Sequence, residues 1–139
     1  MREILFRGKR AENGEWAYGD LIQKEDRTFI AFDWLIEGEN DNYDSFDCAL
    51  YEVLPEAVGQ FTGIVDKNGK KIFEDDIFIH DEKYRYGVLW CNDLKGFYAQ
   101  GINISDYDCV GNFYEWNLEV IGNIHDNPEL LEEDMYEHE

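Results

Sequence analysis

The stretch Phe61-Thr62-Gly63-Ile64-Val65-Asp66-Lys67-Asn68-Gly69-Lys70-Lys71-Ile72-Phe73 decides the fold class. Two short runs of β-branched and aromatic residues flank Asn68-Gly69, a pair that accepts positive φ, and the spacing predicts a tight hairpin with a two-residue type I′ turn. Downstream, residues 76–80, 86–91 and 96–100 read as further short strands, and residues 118–124 as a closing one. Several short strands separated by turns indicate a small barrel or sandwich.

Upstream, residues 3–7 and 15–22 form a second predicted hairpin across the turn-prone Glu12-Asn13-Gly14. Residues 27–36 give a third strand, followed by a polar segment, 37–42, whose composition predicts an exposed loop. Residues 50–54 read as another strand, which Pro55 should stop, because proline cannot donate to a central ladder. At the far end Asn127 is placed to cap a helix, Pro128 to occupy its first turn and Glu129 to favour the positive end of its dipole. The reading is therefore mainly β, with an N-terminal β-rich part over 1–60, a small β-barrel part over 61–126 and an acidic C-terminal helix or tail over 127–139. One compact unit is expected for a chain of 139 residues.

Apolar residues make up 44% of the sequence and aromatic residues 16%, enough to offset the entropy of ordering. No apolar run approaches the roughly 20 residues of a membrane span, and the N-terminus carries charges where a signal peptide needs an apolar segment. Cys48, Cys91 and Cys109 are odd in number and share no short spacing, which fits free thiols in a reducing compartment. A cytoplasmic protein without membrane association is the expectation.

Charge is unevenly arranged. With 32 acidic against 12 basic residues the formal net charge is −20, a field that repels phosphate backbones and disfavours direct nucleic-acid binding. Arg2, Arg7, Lys9 and Arg10 crowd the N-terminus, whereas residues 28–66 and 96–139 contain no Lys or Arg. Such stretches read either as solvated faces or as surfaces complementary to a basic partner. In the first of them Asp33, Glu37, Glu39, Asp41, Asp44 and Asp47 are interleaved with Trp34, Tyr43 and Phe46, the aromatic-and-acid mixture of a protein-binding hot spot. These nine residues are the candidate partner-binding site.

Chemistry is not evident. His80, His125 and His138 occur singly, without metal-ligand spacing, and no nucleophile elbow or phosphate loop is present. Glu74-Asp75-Asp76 could offer oxygen ligands to a divalent cation, but a solvated turn explains it as well. No catalytic residue, cofactor or metal is expected, and the chain reads as a non-enzyme.

Four segments carry a family resemblance: Arg2-Glu3-Ile4-Leu5-Phe6-Arg7-Gly8-Lys9, Val58-Gly59-Gln60-Phe61-Thr62-Gly63, Asp66-Lys67-Asn68-Gly69-Lys70-Lys71-Ile72-Phe73-Glu74-Asp75-Asp76-Ile77, and Val120-Ile121-Gly122-Asn123-Ile124-His125-Asp126-Asn127-Pro128-Glu129-Leu130-Leu131. Their order and spacing resemble the YopX family of phage and prophage proteins. The resemblance implies a small barrel similar to the SH3 type, a mobile-element setting and self-association as a homo-oligomer, and it implies no activity. Asp75 stands where the family usually has Gly.

The first functional expectation is a phage or prophage accessory protein that binds a host or phage protein, one with a basic surface. A homo-oligomeric structural or assembly protein is the second. The third is a nucleic-acid mimic inhibitor, or a small-barrel nucleic-acid binder using the basic N-terminus and Lys67, Lys70 and Lys71, with Tyr84, Tyr86 and Trp90 as stacking surfaces.

Overall fold

The computed structural model describes residues 2–37 and 43–132, and the backbone alone over 33–37 and 43–49. The chain divides between Gln60 and Phe61 into two compact units. The protein is mainly β, built from two antiparallel sheets. No helix among the described residues is long and apolar enough to cross a membrane.

In the first unit β1 (Phe6–Arg10) pairs with β2 (Trp16–Lys24), β2 with β3 (Arg27–Glu37), and β3 with β4 (Tyr43–Val65). β1 also pairs with β4, so it is hydrogen-bonded on both sides. Alternation of side chains along each strand places Ala17, Ile30 and Val53 in one buried cluster, with Phe6, Leu21, Tyr51 and Val58 packed around it. β4 does not end at Pro55. It pairs with β3 as far as Glu52 and with β1 at Val53 and again from Val58, so that Pro55 falls in the bulged interval opposite β1. Its missing N–H is not demanded by the ladder there, which is where a strand tolerates proline.

β4 then enters the second unit and pairs with β5 (Lys71–Phe73) through Phe61↔Phe73 and Val65↔Lys71. The connecting hairpin forms at the predicted place with a different turn. Gly69 has φ +80°, but Asn68 is not in the left-handed region, and Gly69 N–H donates to Asp66 O at 3.0 Å. Asp66 Oδ1 accepts from both Asn68 N–H and Lys70 N–H at 2.9 Å, so a side-chain-stabilised turn replaces the type I′ geometry.

The second sheet has the order β10-β6-β7-β8-β9, from β6 (Asp76–His80), β7 (Tyr84–Cys91), β8 (Gly96–Gly101), β9 (Tyr107–Cys109) and β10 (Leu118–Asn123). Among the described residues no pairing joins β9 to β10, so the barrel expected over 61–126 is an open sheet. β9 is only three residues long, and 3-10 turns at Val110–Asn112 and Glu115–Asn117 take up the chain that follows. The core is Ile72, Phe78, Tyr86, Val88, Ala99, Val110 and Leu118. Phe113 closes it with edge contacts to Phe78 and Tyr86 at 5.3 and 5.1 Å. Phe78, fully buried, contributes about 3 kcal/mol by burial alone.

The expected C-terminal helix is a single 3-10 turn, Pro128–Leu131. Asn127 does not cap it. Its carboxamide oxygen instead accepts from Asn123 N–H at 3.2 Å, and the Arg85 guanidinium donates to Leu130 O at 2.9 Å.

Candidate functional site

The β3–β4 ribbon carries the sequence-derived candidates. Register pairs Asp33↔Cys48, Trp34↔Asp47, Leu35↔Phe46 and Glu37↔Tyr43, with Asp44 in the same strand. Seven of the nine candidates are thus brought onto two paired strands, while Glu39 and Asp41 lie outside the described residues. β2 stops pairing with β3 at Ala31, and β1 joins β4 only from Val53. Between those points, among the described residues, β3 and β4 pair with no further strand. Of the segment 37–42 read as a polar loop, Glu37 belongs to β3 and residues 38–42 lie outside the described residues.

The segments that carry the family resemblance have a different use. Asp66, 3% exposed, also accepts from Val120 N–H through Oδ2 at 2.9 Å, tying the hairpin turn to β10. Asp75 has φ +73°, so its turn does require the left-handed region that glycine fills most easily. Its carboxylate meets His125 Nε2 at 3.0 Å, a contact glycine could not make. Asp76, 1% exposed, accepts from Phe73 N–H at 2.7 Å. Asn123 Oδ1 accepts from His125 and Asp126 N–H groups. The Glu74-Asp75-Asp76 triplet is therefore drawn into the fold, and among the described residues no three or more His, Cys, Asp or Glu side chains are grouped to hold a metal.

A third surface has no counterpart in the sequence reading. The pairs Cys91↔Gly96 and Tyr98↔Cys109 place Cys91, Tyr98 and Cys109 on one face of β7, β8 and β9. With Leu94, Gln100, Tyr107 and Asp108 they line a mostly apolar hollow of about 320 Å³. Cys91 and Cys109 are free thiols. One strand separates them, about 10 Å across the sheet, too far for a disulfide within the chain. β9 gives no signal in advance because Tyr107-Asp108-Cys109 is three exposed residues without a hydrophobic alternation.

Of the three aromatic residues read as a stacking surface for nucleic acid, Tyr84 and Trp90 are exposed and Tyr86 is not. Tyr86 is 4% exposed, and its hydroxyl donates to Asp106 Oδ2 at 2.6 Å. Burial first, and then that carboxylate, push its pKa up to about 12. Lys67 pairs with Glu119 at 3.7 Å, and the Lys71 ammonium lies over the Phe61 ring. Of the N-terminal bases, Arg7 is 5% exposed with its guanidinium 4.6 Å from the Trp16 ring centroid, and Arg10 lies 4.1 Å from that of Tyr51. These cations are engaged in intramolecular contacts.

Fold and surface together define a two-unit, all-antiparallel β protein whose buried polar groups hold turns. The model of the family described as YopX protein matches residues 5–132, and the chain belongs to the YopX family. The crystal structure of protein EF1440 from Enterococcus faecalis is similar over 95% of this chain and 100% of that one, with a TM-score of 0.58 and 24% identity. That similarity is one of fold. No curated protein matches the chain.

Proposed function

We propose that the protein is a non-enzymatic binding module that uses the β3–β4 ribbon to dock onto a basic surface of another protein. The observation that carries this reading is the coincidence of pairing and charge. The stretch of β3 and β4 that pairs with no further strand, residues 32–37 and 43–51 among the described residues, falls within a 28–66 segment free of Lys and Arg. A two-stranded ribbon is marginal by itself in water, so a partner that covers it supplies what neighbouring strands do not. Carboxylates speed encounter with a basic partner, and Trp34, Tyr43 and Phe46 are residue types that anchor tight contacts. In the mobile-element setting that the family resemblance implies, the partner is a host or phage protein.

Self-association through the same ribbon is the second reading, since unpaired strand edges also invite another copy. Charge weighs against it: two such ribbons would bring like-charged acidic segments together. The test compares affinity capture from host lysate by the wild type and by D33N/E37Q/D44N/D47N. A partner retained by the wild type, released as salt is raised and lost by the variant supports docking. Equal capture by both proteins, or capture by neither, contradicts it.

A further inference from the structure

The β6–β10 end of the second unit contains a pocket that the proposed ribbon function does not use. It is lined by Lys67, Ile79, Asp81, Glu82, Trp116, Asn117 and Glu119 and has a volume of about 240 Å³. That is below the roughly 300–1,000 Å³ of sites for whole small molecules, and suits one long side chain. We propose that this pocket receives an arginine side chain of a protein partner.

The walls are fixed by the fold. Ile79 and Glu119 are cross-strand partners on β6 and β10, so they share a face. The 3-10 turn Glu115–Asn117 is tied to the β6–β7 turn by the bond from Asp81 N–H to Asn117 O at 3.0 Å. This turn holds Trp116 71% exposed and stacked on Tyr114, itself 68% exposed, with ring centroids 5.9 Å apart and planes inclined by 22°. Two large rings kept in water by a braced turn are a surface prepared for contact, and tryptophan is the best aromatic acceptor for a cation.

Charge selects the occupant. Three carboxylates, Asp81, Glu82 and Glu119, face one ammonium, Lys67, which lies 3.7 Å from Glu119. Asp81 and Glu82 have no side-chain ion pair or hydrogen bond among the described residues. Both have positive φ, +56° and +58°, in the tight β6–β7 turn. The cation nearest in register, Arg85 opposite Ile79, is drawn away to Leu130 O and Glu132 O. Asn117 adds an independent demand: its Oδ1 is buried without a hydrogen-bond partner, because its amide nitrogen alone meets His80 Nε2 at 3.0 Å. Exchanging the amide oxygen and nitrogen would still leave one of the two unmatched.

An arginine answers the walls and the charge. Its methylene stem can lie on Ile79, its planar guanidinium can stack on Trp116, and its N–H donors can reach the carboxylates at the rim. Lysine offers a compact ammonium that neither stacks nor forks.

The experiment is a titration of the full chain, followed by the Trp116 indole N–H resonance, with short capped peptides that differ only in a central Arg, Lys or citrulline. The Arg peptide should shift that resonance saturably. Citrulline, which keeps the shape and loses the charge, should bind at least tenfold more weakly, and Lys should fall between. D81N/E82Q should weaken the Arg peptide at least tenfold; Asn and Gln keep the turn, and both positions are exposed. The ribbon variant D33N/E37Q/D44N/D47N should bind it like the wild type, which separates this site from the ribbon. Absence of a saturable shift, equal binding of Arg and citrulline, equal binding of Arg and Lys, or indifference to D81N/E82Q would each overturn the assignment.

Discussion

The Asp66 carboxylate and the Val120 amide are 54 positions apart in sequence and 2.9 Å apart in space. Through this bond, and those to Asn68 and Lys70, one buried side chain joins the first hairpin turn of the second unit to its last strand. Removing it leaves three backbone donors without their acceptor. Asp66→Ala should cost about 3–5 kcal/mol, because a charge-assisted bond contributes about 1.5–3 kcal/mol and the losses are not additive. Asp66→Asn keeps one acceptor oxygen and should cost less than Ala. Urea denaturation midpoints of the two variants check this, and a loss below about 1 kcal/mol for Ala would show that the carboxylate does not hold the turn.

Tyr86 makes stability depend on alkaline pH. Its phenol ionises near pH 10 in the unfolded chain but only at about 12 when folded, owing to burial and then to Asp106. The folded pKa is raised, so the associated stability is fully present below pH 10 and is lost as pH rises from 10 through about 12; its size is about 3 kcal/mol. Tyr86→Phe should be less stable by about 1 kcal/mol at neutral pH through loss of the Asp106 bond. The gap between wild type and variant should then narrow above pH 10 and reverse sign toward pH 12, as measured by urea denaturation across that range. A gap that stays constant up to pH 12 would contradict the account.

Two glycines should respond differently to alanine. Gly69 has φ +80°, and a Cβ added there would meet nothing within 4 Å, so Gly69→Ala carries only the left-handed backbone cost of about 1–2 kcal/mol. At Gly19 a Cβ would come within 2.2 Å of Ala31 O, part of the neighbouring strand backbone. Gly19→Ala must therefore push β2 from β3, with a loss exceeding that at Gly69. Thermal melts of the pair order the two costs, and equal shifts would mean that β2 and β3 approach less closely than this.

Much of the fold is legible in local chemistry. The strand at Asp76–His80 and the Asn68-Gly69 hairpin follow from β-branched runs and a positive-φ residue, and both form where expected. What local chemistry could not supply is tertiary. Pro55 reads as a stop because nothing local shows a bulge between Val53 and Val58 that spares its missing N–H. The type I′ turn gives way because Asp66 captures two amides, and the C-terminal helix gives way because Asn127 is taken by Asn123.

The candidate site is legible only as composition. Acids and aromatics between Asp33 and Asp47 can be counted, but their placement on a ribbon without further strands depends on where β1 and β2 stop pairing. Trp116 carries no local signal, because an isolated aromatic gives no sign of the β6–β7 turn that reaches its own turn through Asp81.

The most direct test of the docking role is amide hydrogen exchange on the full chain, free and bound to the captured partner, with the amides of residues 32–37 and 43–49 as the readout. Docking on the ribbon predicts that these amides slow on binding more than those of β6–β8, and that raising salt removes the effect. Protection confined to β7–β9, with the ribbon amides unchanged, would contradict it.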